Sequence, residues 1–161
     1  MFYGELDSPL GKILLESDGE FLTGVRIGIQ PPTGALFRDD LPVFAQAKDW
    51  LQAYFAGMPR PVGELPLKPE GTPFQQMVWA YLAAVPWGQT CTYGQIAREI
   101  APRLGREKMS AQAVGGAVGS NPISILIPCH RVVGSRGQLT GYAGGLDNKS
   151  WLLTHETRKE I

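Results

Sequence analysis

Along the first third of the chain, apolar residues come in short runs separated by turn signals. "MFYGEL" is followed by "DSPLG", "KILLES" by "DG", and "EFLTGVRI" by a loop rich in proline and glycine. Runs of this length between such breakers predict a meander of β-strands. The period then changes: Val43, Phe44, Ala47, Trp50, Leu51, Tyr54 and Phe55 recur at helical spacing until Gly57 stops the helix. The segment 57–71, "GMPRPVGELPLKPEG", reads as a linker, which divides the chain into a domain over 1–70 and another over 71–161.

The second domain opens with Thr72 as N-cap, Pro73 at the first helical position and Gln75 two residues after it, a capping box. Phe74, Met77, Val78, Tyr81, Leu82 and Val85 then line one helical face until "VPWGQ" ends it. Thr92-Tyr93-Gly94-Gln95 repeats the capping logic for a short helix carrying Ile96, Ala97 and Ile100. After the basic turn "APRLGREKM", Ser110 can cap "AQAVGGAVGS", and two short helices around a turn have the pattern of a helix-turn-helix. The second of them is almost bare: Ala111, Ala113, Gly115, Gly116, Ala117 and Gly119 leave little side chain on it. Each glycine costs a helix about 1 kcal/mol relative to alanine. Such a helix either packs tightly inside its domain or brings its backbone close to another surface. In this position that surface would be DNA, contacted closely and with little dependence on base sequence.

Composition narrows the class. At 43% apolar and 19% charged, the 161 residues can build a real core. Net charge is zero, but residues 1–71 hold 6 Lys+Arg against 10 Asp+Glu, and residues 72–161 hold 9 against 5. The surplus on the second part permits a polyanion to dock there. "MFYGELDSPLG" lacks the basic start and apolar middle of a signal peptide, and no apolar run approaches a membrane span, so a cytoplasmic protein is expected. Two cysteines 38 positions apart make no disulfide framework. A zinc site would need nearly every Cys and His at spacings matching no common pattern, so neither metal nor other cofactor is expected.

Against that scarcity, "ISILIPCHRVVG" places one of two cysteines, Cys129, beside one of two histidines, His130. A thiol with its ordinary pKa of about 8.5 needs a base or a positive neighbourhood to act as a nucleophile. His130 can be that base if a carboxylate orients it. Glu99, Glu107, Asp147, Glu156 and Glu160 are the candidates, and Glu156 lies four residues after Leu152 on the terminal helix, on a face that can point inward. Adjacent residues of an extended chain diverge, so Cys129 and His130 would communicate through a bent backbone or a water. Cys91 is read as a structural thiol and His155 as a surface residue.

"NPISILIPCHRVVG", with "TYGQIA" upstream and "LTGYAGGLDNKSWLLTHE" downstream, closely resembles the O6-alkylguanine-DNA alkyltransferases, also called methylated-DNA–protein-cysteine methyltransferases. The resemblance is strong over Gly71 to Glu156 and weaker before it, through "DSPLG" and "YFAG". It implies an α/β, ribonuclease H-like first domain with a small antiparallel sheet and a helix. A mainly helical, winged-helix-like second domain with the helix-turn-helix would follow. It further implies Cys129 as the alkyl acceptor, His130 as the base acting through a water, Glu156 as its orienting carboxylate, and Asn121 bracing the turn below them. Tyr93 would contact the extruded guanine, the carbonyls of Cys129 and Val132 would accept from its amino group, and Tyr142, Ala143 and Gly144 would close the pocket. Gln112, Ala113, Gly115 and Ser135 would face the DNA. The partner implied is double-stranded DNA carrying O6-alkylguanine, bound by a monomer that acts once.

One position departs from the family pattern: Gln112 stands where the family commonly has an arginine that fills the gap left by the extruded nucleotide. Gln112 can hydrogen-bond the orphaned base but offers no cation–π stack, and Arg103, Arg106 and Lys108 in the preceding turn can hold phosphates. Two other classes compete: a Cys-His-Glu thiol hydrolase, which predicts turnover without DNA, and a non-enzymatic DNA-binding module. A regulator that reads sequence would need base-reading side chains on the second helix, where Ala and Gly stand.

Overall fold

The computed structural model describes residues 1–157, which form two compact units. The first comprises Met1–Glu70 with Pro122–Leu126, the second Gly71–Asn121 with the chain from Ile127 onward.

In the first unit the expected meander is β1 (Phe2–Ser8), β2 (Gly11–Ser17) and β3 (Leu22–Ile27), paired antiparallel. The β1–β2 turn is tight because Gly11 takes φ +92° and the Ser8 hydroxyl donates to the Gly11 carbonyl at 2.7 Å. A two-residue strand, β4 (Leu36–Phe37), joins β1 in parallel, so the sheet is mixed, in the order β3-β2-β1-β4, rather than wholly antiparallel. Helix α1 (Pro42–Phe55) buries Val43, Phe44, Ala47, Trp50, Leu51 and Tyr54, while Phe55 is half-buried. It ends as its sequence requires: Gly57 at φ +81° lets its own N–H reach Tyr54 O and the Met58 N–H reach Ala53 O.

The region read as a linker does more than connect. Leu22 N–H donates to Pro66 O and Lys68 N–H to Leu22 O, both at 2.8 Å. Residues 122–126, assigned from the linear sequence to the second domain, add to the same edge: Val25 N–H donates to Pro122 O and Ser124 N–H to Val25 O, each at 2.9 Å. The outer edge of β3 would otherwise expose unpaired backbone groups, and these two segments take them. Within the second segment Ile125 is 1% exposed and holds φ +72°, a left-handed conformation that a β-branched residue adopts only under constraint.

The second unit holds α2 (Pro73–Ala83), β5 (Cys91–Thr92), α3 (Tyr93–Ile100), α4 (Ala111–Gly119), β6 (Val132–Val133) and α5 (Leu146–Thr157). Both expected capping boxes form: Thr72 and Thr92 hydroxyls each accept from the N–H of Gln75 and Gln95 at 3.1 Å, and the glutamine side chains return the bond. β5 and β6 pair in parallel, Cys91 opposite Val132. The buried face of α2 is shifted from the expected stripe. Trp79 is buried with Val78 and Leu82, because its indole N–H donates to the Ala117 carbonyl of α4 at 2.8 Å. Phe74, Met77 and Tyr81 are half-buried instead. No helix among the described residues is long and apolar enough to cross a membrane.

The strained residue gives a test of the segment at 122–126. Left-handed backbone costs an L-residue with a Cβ roughly 1–2 kcal/mol, which glycine does not incur. Ile123 is equally buried without positive φ. Urea unfolding should therefore show Ile125→Gly less destabilising than Ile123→Gly by about 1–2 kcal/mol.

Candidate active site

The chain enters the site from α4, with Asn121 two residues past the helix end at Gly119. The Asn121 amide donates to the Ile127 carbonyl at 2.7 Å, so the two ends of the 122–126 segment are pinned together. After Pro128 the backbone makes a single 3-10 turn over Cys129–Arg131, closed by Arg131 N–H on Pro128 O at 3.0 Å. The two adjacent residues therefore sit on a tight turn rather than on an extended strand. Cys129 is 4% and His130 0% exposed.

Glu156 reaches this turn from α5, as its spacing from Leu152 anticipated. His130 Nε2 lies 2.6 Å from Glu156 Oε2. Arg131, to which no role was attached from sequence, donates from Nε to Oε1 at 2.7 Å and from Nη2 to Oε2 at 3.1 Å, and its Nη1 donates to Val85 O at 2.7 Å. Burial opposes the charge on Glu156, but the bonds from His130 and Arg131 outweigh it and hold the carboxyl down to about 2. An ionised carboxylate can only accept, so His130 Nε2 carries the ring proton. Burial also keeps His130 below its ordinary pKa, against the pull of Glu156, so the ring rests neutral. Its Nδ1 is then a bare lone pair, buried and without a hydrogen-bond partner among the described residues. Such a nitrogen is a proton acceptor.

The thiol rests protonated. Burial pushes Cys129 up to about 11, while a hydrogen bond from Asn121 and the positive charge of Lys149 pull the other way. Lys149 is 0% exposed, and its ammonium donates to Val132 O at 2.6 Å and Thr140 O at 3.1 Å. Arg131 neutralises Glu156, so the Lys149 charge is left to favour a thiolate. Lys149, like Arg131, escaped sequence reasoning. The signal was present: it stands seven residues before Glu156 and three before Leu152, on the same helical face.

Beside this cluster lies a cleft of about 590 Å³, lined by Tyr93, Gln112, Gly115, Thr140, Gly141 and Tyr142 among others. Tyr142 connects the two, since its ring centroid is 6.4 Å from that of His130. Of the residues named from sequence, Tyr93, Gln112, Gly115 and Tyr142 meet in the cleft wall. Ala113 lines a neighbouring groove with Phe74, Leu104, Arg106 and Met109. Ala143 and Gly144 stand outside the cleft lining, in the loop before α5, where Gly144 O accepts from Asn148 at 2.7 Å. Ser135 is exposed in the turn after β6. Val132 O already holds Lys149, and the Cys129 carbonyl accepts the Val132 N–H, which leaves each one further lone pair.

The glycines of α4 separate the two readings of that helix. A Cβ at Gly116 or Gly119 would meet nothing within 4 Å, and one at Gly115 would only touch Tyr93 at an ordinary 3.8 Å. Packing within the unit therefore does not require them. Gln112, Ala113, Gly116 and Gly119 are exposed, so the bare face points outward.

Cys91 is buried and pushed up to about 11 by that burial, which suits a structural thiol. His155, expected at the surface, is half-buried between Trp151, stacked at 4.8 Å, and Trp87 at 5.5 Å. Glu160 lies outside the described residues. Among the described residues no cluster of three His, Cys, Asp or Glu forms a metal site.

Residues 73–158 match the 6-O-methylguanine DNA methyltransferase DNA-binding domain, and residues 1–69 the ribonuclease-like domain of the same family. The chain belongs to the 6-O-methylguanine DNA methyltransferase family. Relatives named methylated-DNA–protein-cysteine methyltransferase include one from Haemophilus influenzae, 43% identical over 97% of this chain and 86% of its own. Another, from Methanosarcina acetivorans, is 44% identical over 97% of this chain and 98% of its own. A Mycobacterium tuberculosis OGT solved in complex with DNA superposes with a TM-score of 0.84 at 42% identity, covering 98% of this chain and 93% of that one. The expected two-domain methyltransferase fold is thus borne out.

Glu156 makes a pH test possible. Because its folded carboxyl is depressed, its stabilising contribution is complete above the unfolded value of about 4.3 and is lost as pH falls from there toward 2. The stability gap between wild type and Glu156→Gln, read by chemical unfolding, should shrink by about 3 kcal/mol between about pH 6 and pH 2.

Proposed function

We infer that this chain repairs DNA by direct reversal, moving a methyl or other small alkyl group from O6 of guanine onto its own Cys129. The observation that carries the assignment to this residue is the buried Cys129–His130–Glu156 cluster. Its imidazole is fixed in the tautomer whose free nitrogen can take a proton. O6-alkylguanine in duplex DNA is the substrate, and the protein works as a monomer in the cytoplasm.

The alkyl carbon of the lesion lies within the base stack, so the nucleotide has to be extruded into a protein pocket. The outward face of α4, nearly free of side chains, suits close approach of its backbone to the minor groove at any sequence. Gln112, at the N-terminal end of that face, takes the space the nucleotide leaves. The cleft between Tyr93, α4 and the loop at 140–142 receives the base. His130 Nδ1 takes the Cys129 proton through a bridging water; Glu156 stabilises the resulting imidazolium and Lys149 the thiolate. The sulfur then attacks the alkyl carbon: the S–C bond forms, the C–O6 bond breaks, and its electron pair passes to the guanine, which is protonated as it leaves. The product is a thioether with no leaving group that water could displace. Each molecule reacts once.

Intact-mass measurement after equimolar mixing with a duplex bearing one O6-methylguanine checks the reaction. Wild type should gain a single methyl and saturate there, Cys129→Ala should gain none, and His130→Ala should transfer slower by roughly 10²-fold. Turnover, or methylation of Cys129→Ala, would defeat the assignment. Gln112 has its own test: Gln112→Ala should weaken lesion-duplex affinity or slow transfer by about fivefold to tenfold, the worth of one lost hydrogen-bonding contact. Unchanged affinity and rate would remove it from the base stack.

A further inference from the structure

The mechanism above leaves one hydrogen bond of the cleft wall unused. Tyr93 Oη and Thr140 Oγ1 lie 2.7 Å apart, joining the first residue of α3 to the loop between β6 and α5. Both ends are held. Tyr93 follows directly on the Thr92 cap. Thr140 is fixed through its carbonyl by Lys149, the same buried ammonium that holds Val132 O. Neither hydroxyl forms another hydrogen bond among the described residues.

A phenol and an alcohol each bring one proton and two lone pairs. Only one proton can lie between the two oxygens, so the other points away. When Tyr93 donates, its single proton is spent on Thr140 and the phenol presents only lone pairs to the cleft. When Thr140 donates, the phenolic proton is released toward the cleft, and accepting a bond strengthens it as a donor. A guanine being displaced from its alkyl group accumulates negative charge on its ring and on O6, and a donor at its edge is worth most at that moment.

We propose that Thr140 is a positioning residue: it donates to Tyr93 across the cleft wall and so aims the phenolic proton at an acceptor on the edge of the bound base. Lys149 sets the geometry by fixing the Thr140 backbone. The proposal rests on the reading of Tyr93 as a base-contacting residue.

Single-turnover transfer from an O6-methylguanine duplex at saturating protein tests it, with Thr140→Val, Thr140→Ser, Tyr93→Phe and the Tyr93→Phe/Thr140→Val pair, and with lesion-duplex affinity measured beside each. Thr140→Val and Tyr93→Phe should each slow the saturated rate by roughly fivefold to tenfold, while Thr140→Ser stays within about twofold of wild type. The pair should be no slower than Tyr93→Phe alone, because both changes remove one coupled device. Thr140→Ala serves in place of the valine variant if that one does not fold. A wild-type rate for Thr140→Val beside a slow Tyr93→Phe would overturn the proposal and leave Tyr93 in place. So would losses that multiply in the pair, or a serine variant as slow as the valine one. A wild-type rate for Tyr93→Phe would overturn the Tyr93 reading and this proposal with it.

Discussion

Taking a carboxylate out of water costs several kcal/mol unless its lone pairs are occupied by donors that carry charge. Glu156 is 4% exposed, and it meets that cost with three close contacts, one from His130 and two from Arg131. Each partner has a distinct consequence. The contact with His130 selects the ring tautomer, and through it the nitrogen available to the thiol. Those from Arg131 keep Glu156 ionised whatever the state of the ring, so the tautomer does not drift as protons move. Arg131 is itself tied to Val85 O, so the carboxylate is also anchored to the chain just past α2. The Cys129–Arg131 turn is the element that makes the set possible, since a strand would have sent Cys129 and His130 to opposite faces.

Charge accounting explains why a thiol can be kept deeply buried and still be used. With Arg131 and Glu156 cancelling, the cluster at rest carries the single charge of Lys149. In the proposed reaction, transfer of the thiol proton to His130 would create a positive and a negative group together and leave that total unchanged. Lys149 then lies where it favours the sulfur, and its two carbonyl partners take two of its three protons without bringing a carboxylate to cancel its charge. A second acid in place of either carbonyl would have removed that bias.

Much of this was legible in the sequence, for reasons that can be traced. The capping boxes at Thr72 and Thr92, the stripe of α1 and the stop at Gly57 are local devices, set within a few residues of one another, and each formed as read. Spacing from Leu152 put Glu156 on a face that could point inward, and the family resemblance singled it out from the other four carboxylates. What escaped was nonlocal. Trp79 is buried by a carbonyl 38 residues away, and residues 122–126 join a sheet whose free edge no local pattern announces. Arg131 and Lys149 carry charge into apolar surroundings, and composition treats such residues as surface until their partners are known.

The same contrast bears on how lesions are told from normal bases. Gly116 and Gly119 have no internal neighbour that would exclude a side chain, so their bareness is a property of the outer surface of α4. A surface with so few side chains has almost nothing with which to read base edges, and if α4 is the docking helix, as proposed, its contact with DNA is correspondingly indifferent to sequence. On that reading, discrimination is displaced from the docking helix to the cleft and the buried thiol. There the bases meet the same walls and the same sulfur, but only one carrying an alkyl carbon on oxygen offers an atom that the sulfur can take. Indifference at the helix and severity at the thiol are two halves of one arrangement. A side chain added to α4 to improve affinity would work against it, by making the search depend on the sequence around the damage.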